Sequence, residues 1–270
     1  WARDADEINR LVVEIAFRHG VRKIVKSKSM VSEESALDLA IERAGLVVVE
    51  TDLGEYILQI NGYEPPSHIV GPALHKSKEE VTELFHRRHG TPRKEGIEEL
   101  CREARAVLRE HYLTADMGIS GGNFFVAETG SVVLVTNEGN ASLATTLPKV
   151  HVAISGIEKI VPTLEDVATL MRLLPRSATG QSISNYVDVL TGARGEGEFH
   201  GVDHMYFILV DSGRTGVLAS GVREALRCIR CGACMNHCPV YQAVGGHAYG
   251  WVYPGPIGSI LTPMYVGLEE

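Results

Sequence analysis

Residues 23 to 49, KIVKSKSMVSEESALDLAIERAGLVVV, carry the pattern that decides the fold. Lys23 to Val25 is a short strand candidate. Ser32 opens a helix whose apolar positions Leu37, Ala40, Ile41 and Ala44 recur at helical spacing, and Gly45 supplies a C-terminal stop. Leu46 to Val49 then reads as a buried strand, so the stretch is a β-α-β unit. Upstream, Ile8, Leu11, Val12, Ile15 and Ala16 predict a helix ending near Gly20. Downstream, Ser77 with Glu80 forms a capping box for a helix carrying Val81, Leu84 and Phe85, and Ile97, Leu100, Cys101, Ala104 and Leu108 predict another. Phe124 to Ala127, Ser131 to Thr136, Lys149 to Ser155 and Met205 to Asp211 read as strands, interrupted by a helix that starts at Thr163 and Asp166 and turns Leu170, Met171 and Leu174 inward. Alternating strands and helices imply an α/β layered sheet with covered faces.

The composition narrows the function classes. Of 270 residues, 44% are hydrophobic and 22% charged, which excludes disordered, collagen-like and mini-protein classes. A formal charge of −8 argues against a nucleic-acid partner. The longest apolar run, Met205 to Val210, has six residues where a membrane-spanning helix needs roughly 20, so no transmembrane segment is expected. No signal-like start is present, and the expected location is cytoplasmic. The chain runs from Trp1 to Glu270 with no closing element in view, so a longer polypeptide is expected.

From Ser220 the character changes. A short helix to Arg227 leads to Cys228, Cys231, Cys234 and Cys238, with Pro239 next, in the spacing C-x2-C-x2-C-x3-C-P. Thiolates are what iron–sulfur clusters require, and tight turns with Gly232 and Ala233 let three sulfurs converge. Structural zinc more often uses two separated C-x2-C pairs, and disulfides do not suit a reducing compartment. In two-cluster ferredoxins the cysteine before proline serves the other cluster, whose remaining ligands come from a remote run. No such run occurs here, so the missing cysteines are expected beyond Glu270. Cys101 is expected to be a buried hydrophobe on its helix. The segment Tyr253 to Gly258 is too rich in Gly and Pro for a regular element. The expected division is therefore an α/β domain at 1–220 and a cysteine segment at 221–270.

The glycine-rich middle offers a candidate ligand crevice at strand ends: Asp116, Asn123, Glu128, Thr129, Asn137 and Glu138. Either Glu128 or Glu138 could act as base, nucleophile or clamp there. Turn chemistry explains the same residue types equally well. Gly118 to Gly122 matches G-x-S-x-G, but a nucleophile elbow needs a strand before and a helix after, and a strand candidate follows. Thr179-Gly180-Gln181 could add donors to the crevice. His200 and His204 would pair on a metal only if helical, and their neighbours point to a loop. Lys26 and Lys28 read as solvated lysines.

These segments resemble a known family. Ile24 to Met30, Glu50 to Ile57, Pro66 to Ile69, Ala127 to Ser131, Thr136 to Asn140, Cys228 to Pro239, Gly246-His247 and Tyr253 to Gly258 closely resemble the lactate utilization protein B family, from about residue 20 to the end. The resemblance implies an iron–sulfur electron-transfer subunit of an L-lactate oxidation system that yields pyruvate. Such a subunit is not catalytic alone and works on a small organic acid with lactate utilization proteins A and C. It implies a 4Fe–4S cluster on the cysteines, two clusters in the full-length protein, and a fold similar to the NagB, ribose-5-phosphate isomerase and coenzyme A transferase group. Two other readings stay open: an α/β domain that processes an acyl or sugar substrate, and a ligand-binding module whose cluster is structural.

Overall fold

The computed structural model describes residues 1–267. Five parallel strands, β1 (Lys23–Lys26), β2 (Val47–Glu50), β3 (Met117–Ser120), β6 (Val150–Gly156) and β9 (His204–Val210), form a sheet in the order β2-β1-β3-β6-β9. A second sheet, order β7-β4-β5-β8, is built from β4 (Phe124–Val126), β5 (Ser131–Thr136), β7 (Ile160–Val161) and β8 (Tyr186–Leu190). Here β5 runs antiparallel to β4 and β8. The helices are α1 (Ala5–Arg18), α2 (Met30–Glu34), α3 (Leu37–Arg43), α4 (Leu53–Ile60), α5 (Lys78–His89), α6 (Ile97–Thr114), α7 (Asn140–Thr146), α8 (Leu164–Thr179), α9 (Arg214–Leu218), α10 (Ala233–Asn236), α11 (Pro239–Val244) and α12 (Gly255–Val266).

Strand periodicity sorts the core. Ile24 and Val48 pack with Ile8, Val12, Leu37 and Ile41 of α1 and α3 on one face of the parallel sheet. Their neighbours Val25 and Val49 point the other way, to Tyr56, Phe85, Leu100 and Leu108 of α4, α5 and α6. The second sheet has its own two faces: Phe124, Val126 and Val133 meet Val167 and Leu174 of α8, while Phe125, Val132 and Leu134 meet Ala153, Met205 and Phe207 of the parallel sheet. The α/β expectation holds, with helices on both faces of the parallel sheet.

Four local readings change. Ser32 does not start the crossover helix: Ser29 Oγ caps α2 at the Ser32 N–H, and the chain breaks at Ala36, φ 48°, before α3. Met117 to Ser120, where the sequence predicts no strand, is the central strand of the parallel sheet. The segment after Tyr253 does sustain a helix, α12, because Pro254 is its N-cap and Pro256 falls in the first turn, where a missing N–H costs nothing. Between Ser220 and Arg227 only a 3₁₀ turn forms, at Arg223–Arg227. No helix among the described residues is long and apolar enough to cross a membrane.

Candidate functional site

The cysteine run is bent by two residues in the left-handed region, Arg230 at φ 60° and Gly232 at φ 76°. At the first bend the Arg230 N–H donates to Cys228 Sγ at 3.4 Å, and at the start of α11 the Tyr241 N–H donates to Cys238 Sγ at 3.5 Å. Burial pushes the Cys234 thiol up, and the charges of Cys228 and Cys231 push it further. Cys238 caps α11, and the Tyr241 N–H holds its half-buried thiol below its ordinary value. All four cysteines are unpaired. Cysteines in this spacing, with main-chain N–H groups donating to Cys228 and Cys238, fit a cluster that carries several thiolate charges.

The run does not stand free of the α/β domain. Cys231 and Ile229 pack against the core between α8 and the second sheet. Met235, Ile69 and Tyr253 form a small core of their own, with Trp251 and Tyr265 against it. Below it lies a buried ionic network. Arg214, fully buried on α9, reaches Glu34 at 2.7 Å and Glu158 at 2.5 Å, and Tyr253 Oη donates to Glu34. Arg230 approaches Glu158 at 3.4 Å and lies over the Tyr253 ring, 4.4 Å from its centroid. Gly156 is required here, since a Cβ would overlap both Glu158 and the Arg214 guanidinium. Lys159 Nζ donates to the Cys228 carbonyl. Burial alone would raise the Cys228 thiol, but Arg230 and Lys159 outweigh it and hold it below its ordinary value.

Above the carboxyl ends of β1, β3 and β6 a cleft of about 270 Å³ opens between the two sheets and the cysteine run. Its wall includes Lys28, Asn123, Glu138, Lys159 and Arg230. Three of the six residues expected in a crevice therefore meet there: Asn123, Asn137 and Glu138. Burial, with Asp52 close by, raises the Glu138 carboxyl to about 7. Asn123 Oδ1 accepts from Val135 N–H at 2.9 Å, and Asn137 Nδ2 donates to Gln181 at 2.8 Å, which brings the Thr179 to Gln181 turn into the same wall. The other three lie elsewhere and serve local structure. Asp116 precedes β3 at the opposite end of the sheet, accepting from the Arg22 and Lys23 N–H groups at 2.9 and 3.0 Å. Glu128 accepts from Leu164 N–H at 3.3 Å at the start of α8, and Thr129 bonds Ser131 across the β4–β5 turn at 2.8 Å.

Further expectations are corrected by burial. Cys101 is exposed on α6, because the inward face of that helix is Leu100, Ala104 and Leu108. Lys26 is fully buried rather than solvated, ringed by Glu50, by Glu33 at 3.2 Å and by Asp38 at 3.5 Å. A strand does precede Ser120, yet no elbow forms: Ser120 Oγ bonds His151 Nε2 at 2.8 Å, both side chains are fully buried, and neither reaches the cleft. His204 lies on β9, its ring 4.3 Å from that of His19, while His200 sits exposed in the preceding loop. Sequence reasoning missed Lys159, Arg214 and Glu158; a cation between two cysteines, Arg230, was the signal available.

The pattern of the LUD domain matches residues 1–210. The chain belongs to the LUD domain family. Behind this LUD domain, residues 224–269 match the 4Fe-4S dicluster domain, so the chain carries an iron–sulfur segment. Curated relatives of this LUD protein include lactate utilization protein B of Shouchella clausii, 52% identical over 270 residues, and of Geobacillus kaustophilus, 50% identical over the same length. In each case the whole chain aligns and spans 57% of the relative's length. A crystal structure of a DUF162 family protein from Deinococcus radiodurans aligns with 77% of the chain and 98% of its own, at 14% identity and a TM-score of 0.31.

Proposed function

We propose that this LUD protein is the iron–sulfur electron-transfer subunit of a cytoplasmic system that oxidises L-lactate to pyruvate, working with lactate utilization proteins A and C and not catalytic alone. The observation that carries the reading is the spacing of Cys228, Cys231, Cys234 and Cys238 inside the stretch that matches the 4Fe-4S dicluster domain, with two buried cations, Arg230 and Lys159, beside Cys228. The curated relatives' name adds the link to lactate. Cys228, Cys231 and Cys234 would hold one 4Fe–4S cluster, and Cys238 would serve a second whose other thiolates come from the remainder of the full-length protein. When bound, a 4Fe–4S cluster accepts and gives up one electron at a time. The chain's own contribution is electrostatic and steric. Arg230 and Lys159 offset the thiolate charge, which favours the reduced state, and α8 and the second sheet shield Cys231 from water. Residues 1–220 and 221–270 then divide the work between a ligand-facing α/β domain and an electron relay.

The test is anaerobic reconstitution of the complete polypeptide with iron and sulfide, followed by lactate addition with and without the partner proteins. The expected result is loss of visible cluster absorption only when lactate and partners are both present. Stoichiometric zinc in place of a cluster in protein purified anaerobically, or a cluster that lactate never reduces, overturns the reading.

A second reading has one observation in its favour. The Arg214, Glu34, Glu158 and Tyr253 network ties the cysteine segment to the α/β domain as a structural brace would. A structural cluster beside a ligand-binding α/β domain predicts loss of folding but unchanged activity when iron is chelated.

A further inference from the structure

The connection between α4 and α5 is where the cysteine segment docks. Tyr241 Oη donates to the Ser67 carbonyl at 2.6 Å, and His68 Nε2 lies 3.1 Å from Asn236 Oδ1. Gly246 sits so close that a Cβ there would lie 1.8 Å from the Ser67 carbonyl oxygen. The next residue, His247, donates from Nε2 to the Pro65 carbonyl at 2.9 Å, and its ring centre is 4.5 Å from that of His75. One ligand atom from each of Glu64, His75 and His247 falls within 4.8 Å of the other two.

The hydrogen bonds around these side chains decide where their electron pairs lie. Ser67 Oγ donates to the Pro72 carbonyl at 3.1 Å, so it accepts from His75 Nδ1 at 2.7 Å. A proton fixed on Nδ1 leaves the lone pair of the neutral ring on Nε2, facing Glu64 Oε1 at 2.8 Å. Two electron pairs at that distance require a cation between them, either a second proton on the ring or a metal ion. His247 repeats the pattern: with its Nε2–H on the Pro65 carbonyl, the neutral ring carries its lone pair on Nδ1. A hydroxyl or carbonyl holding the other N–H is the arrangement that orients metal-ligating histidines. Lys76 and Asn61 donate to Glu64 Oε2 at 2.6 and 2.7 Å. Burial would raise the Glu64 carboxyl, but the hydrogen bonds from Lys76, Asn61 and His75 outweigh it and hold it down at about 2, so it is ionised at neutral pH.

Two imidazoles with one carboxylate suit zinc and its neighbours, whereas magnesium and calcium take sets of oxygens. Zinc bonds of about 2 Å place tetrahedral ligand atoms about 3.3 Å apart. That spacing falls between the 2.8 Å of the Glu64–His75 pair and the 4.8 Å bound on the whole set, a difference that side-chain rotation covers. Both histidines are exposed, so an ion can enter from solvent and keep a water as its fourth ligand.

We propose that Glu64, His75 and His247 bind one divalent cation of the zinc type, which pins the cysteine segment to the α/β domain as a tie additional to the Arg214 network. Glu64 and His75 belong to the α/β domain and His247 to the segment that carries the cysteines, so the ion joins the two. None of the three is a cysteine of the run, and the proposal stands whether or not the cluster transfers electrons.

Anaerobic isothermal titration of the complete polypeptide, with its cluster reconstituted and loose metal removed on a chelating resin, tests it with zinc chloride and magnesium chloride as probes. Saturable uptake of one zinc per chain is expected, with no magnesium uptake and no loss of iron. Glu64→Gln and His247→Gln should each weaken zinc binding roughly tenfold or more while cluster absorption stays as in the wild type. Zinc should also slow limited proteolysis after residue 220 in the wild type and not in His247→Gln, a difference that a site confined to the α/β domain would not produce. Absence of saturable zinc uptake, uptake undiminished in either variant, or zinc gained only as iron is lost, which would place it on the cysteines, overturns the site. Zinc that binds at these residues without slowing the cleavage overturns the tie.

Discussion

Lys159 Nζ donates to the main-chain carbonyl of Cys228, joining the turn after β6 to the first cysteine of the run. Burial, with Arg230 nearby, lowers the Lys159 pKa to about 8, so the ammonium is held charged at neutral pH by a narrow margin. Lys159→Met removes the cation and leaves the carbonyl without its donor. The expected stability loss is about 1–3 kcal/mol, read by chemical denaturation. The reconstituted cluster should also become harder to reduce, because its added negative charge loses a nearby positive one. An unchanged midpoint potential in a redox titration would remove Lys159 from the electrostatic account.

The cysteines separate by role. Cys228→Ser, Cys231→Ser and Cys234→Ser should each abolish iron retention in the first cluster, whereas Cys238→Ser should spare it, since the cysteine before proline in this spacing serves the other cluster. Cys101→Ala should leave iron content unchanged, because that thiol is exposed on α6. Iron analysis of anaerobically reconstituted variants decides each case.

Arg214 is the cation that holds two buried carboxylates, Glu34 and Glu158, together. Arg214→Leu leaves both without their main partner, a loss of about 3–5 kcal/mol for a broken buried pair. Limited proteolysis should then cut after residue 220 while the parallel-sheet core survives. Arg214→Lys should recover only part of the loss, since one ammonium cannot reproduce the guanidinium fork that meets both acids.

His151 makes stability depend on pH. Burial lowers its pKa from 6.5 to about 4, and its Nδ1 has no partner among the described residues. The unfolded chain takes up a proton below pH 6.5 while the folded chain stays neutral until about 4. The contribution is therefore full above pH 6.5 and is lost as pH falls through that window. Between pH 7 and 5 this group should cost the fold roughly 2 kcal/mol. His151→Gln should flatten that part of the profile, measured by urea denaturation at the two pH values. Equal slopes for wild type and variant would show that the imidazole is hydrated.

The local sequence determined what local forces set. The β1 and β2 strands are legible because Ile24 and Val25 alternate between two apolar faces, and the starts of α5 and α8 are legible because Ser77 with Glu80 and Thr163 with Asp166 satisfy their own N–H groups. The cysteine spacing announces its chemistry in the same way, since ligand geometry is written over eleven residues. Only tertiary structure decided the rest. Gly118 lies in β3 and has to be glycine there because a Cβ would overlap the Ala144 carbonyl of α7, a contact that nothing near it in the sequence announces. Asp116 and Asn123 look alike as polar residues beside a strand, and opposite ends of β3 send one to the sheet's amino edge and the other to the cleft. Arg230, Glu158 and Arg214 meet only because α9 and the cysteine run fold back onto the end of β6. Propensity, capping and ligand spacing act between neighbours in the chain, whereas a cleft, a buried charge and its partner are defined by which distant segments exclude water together.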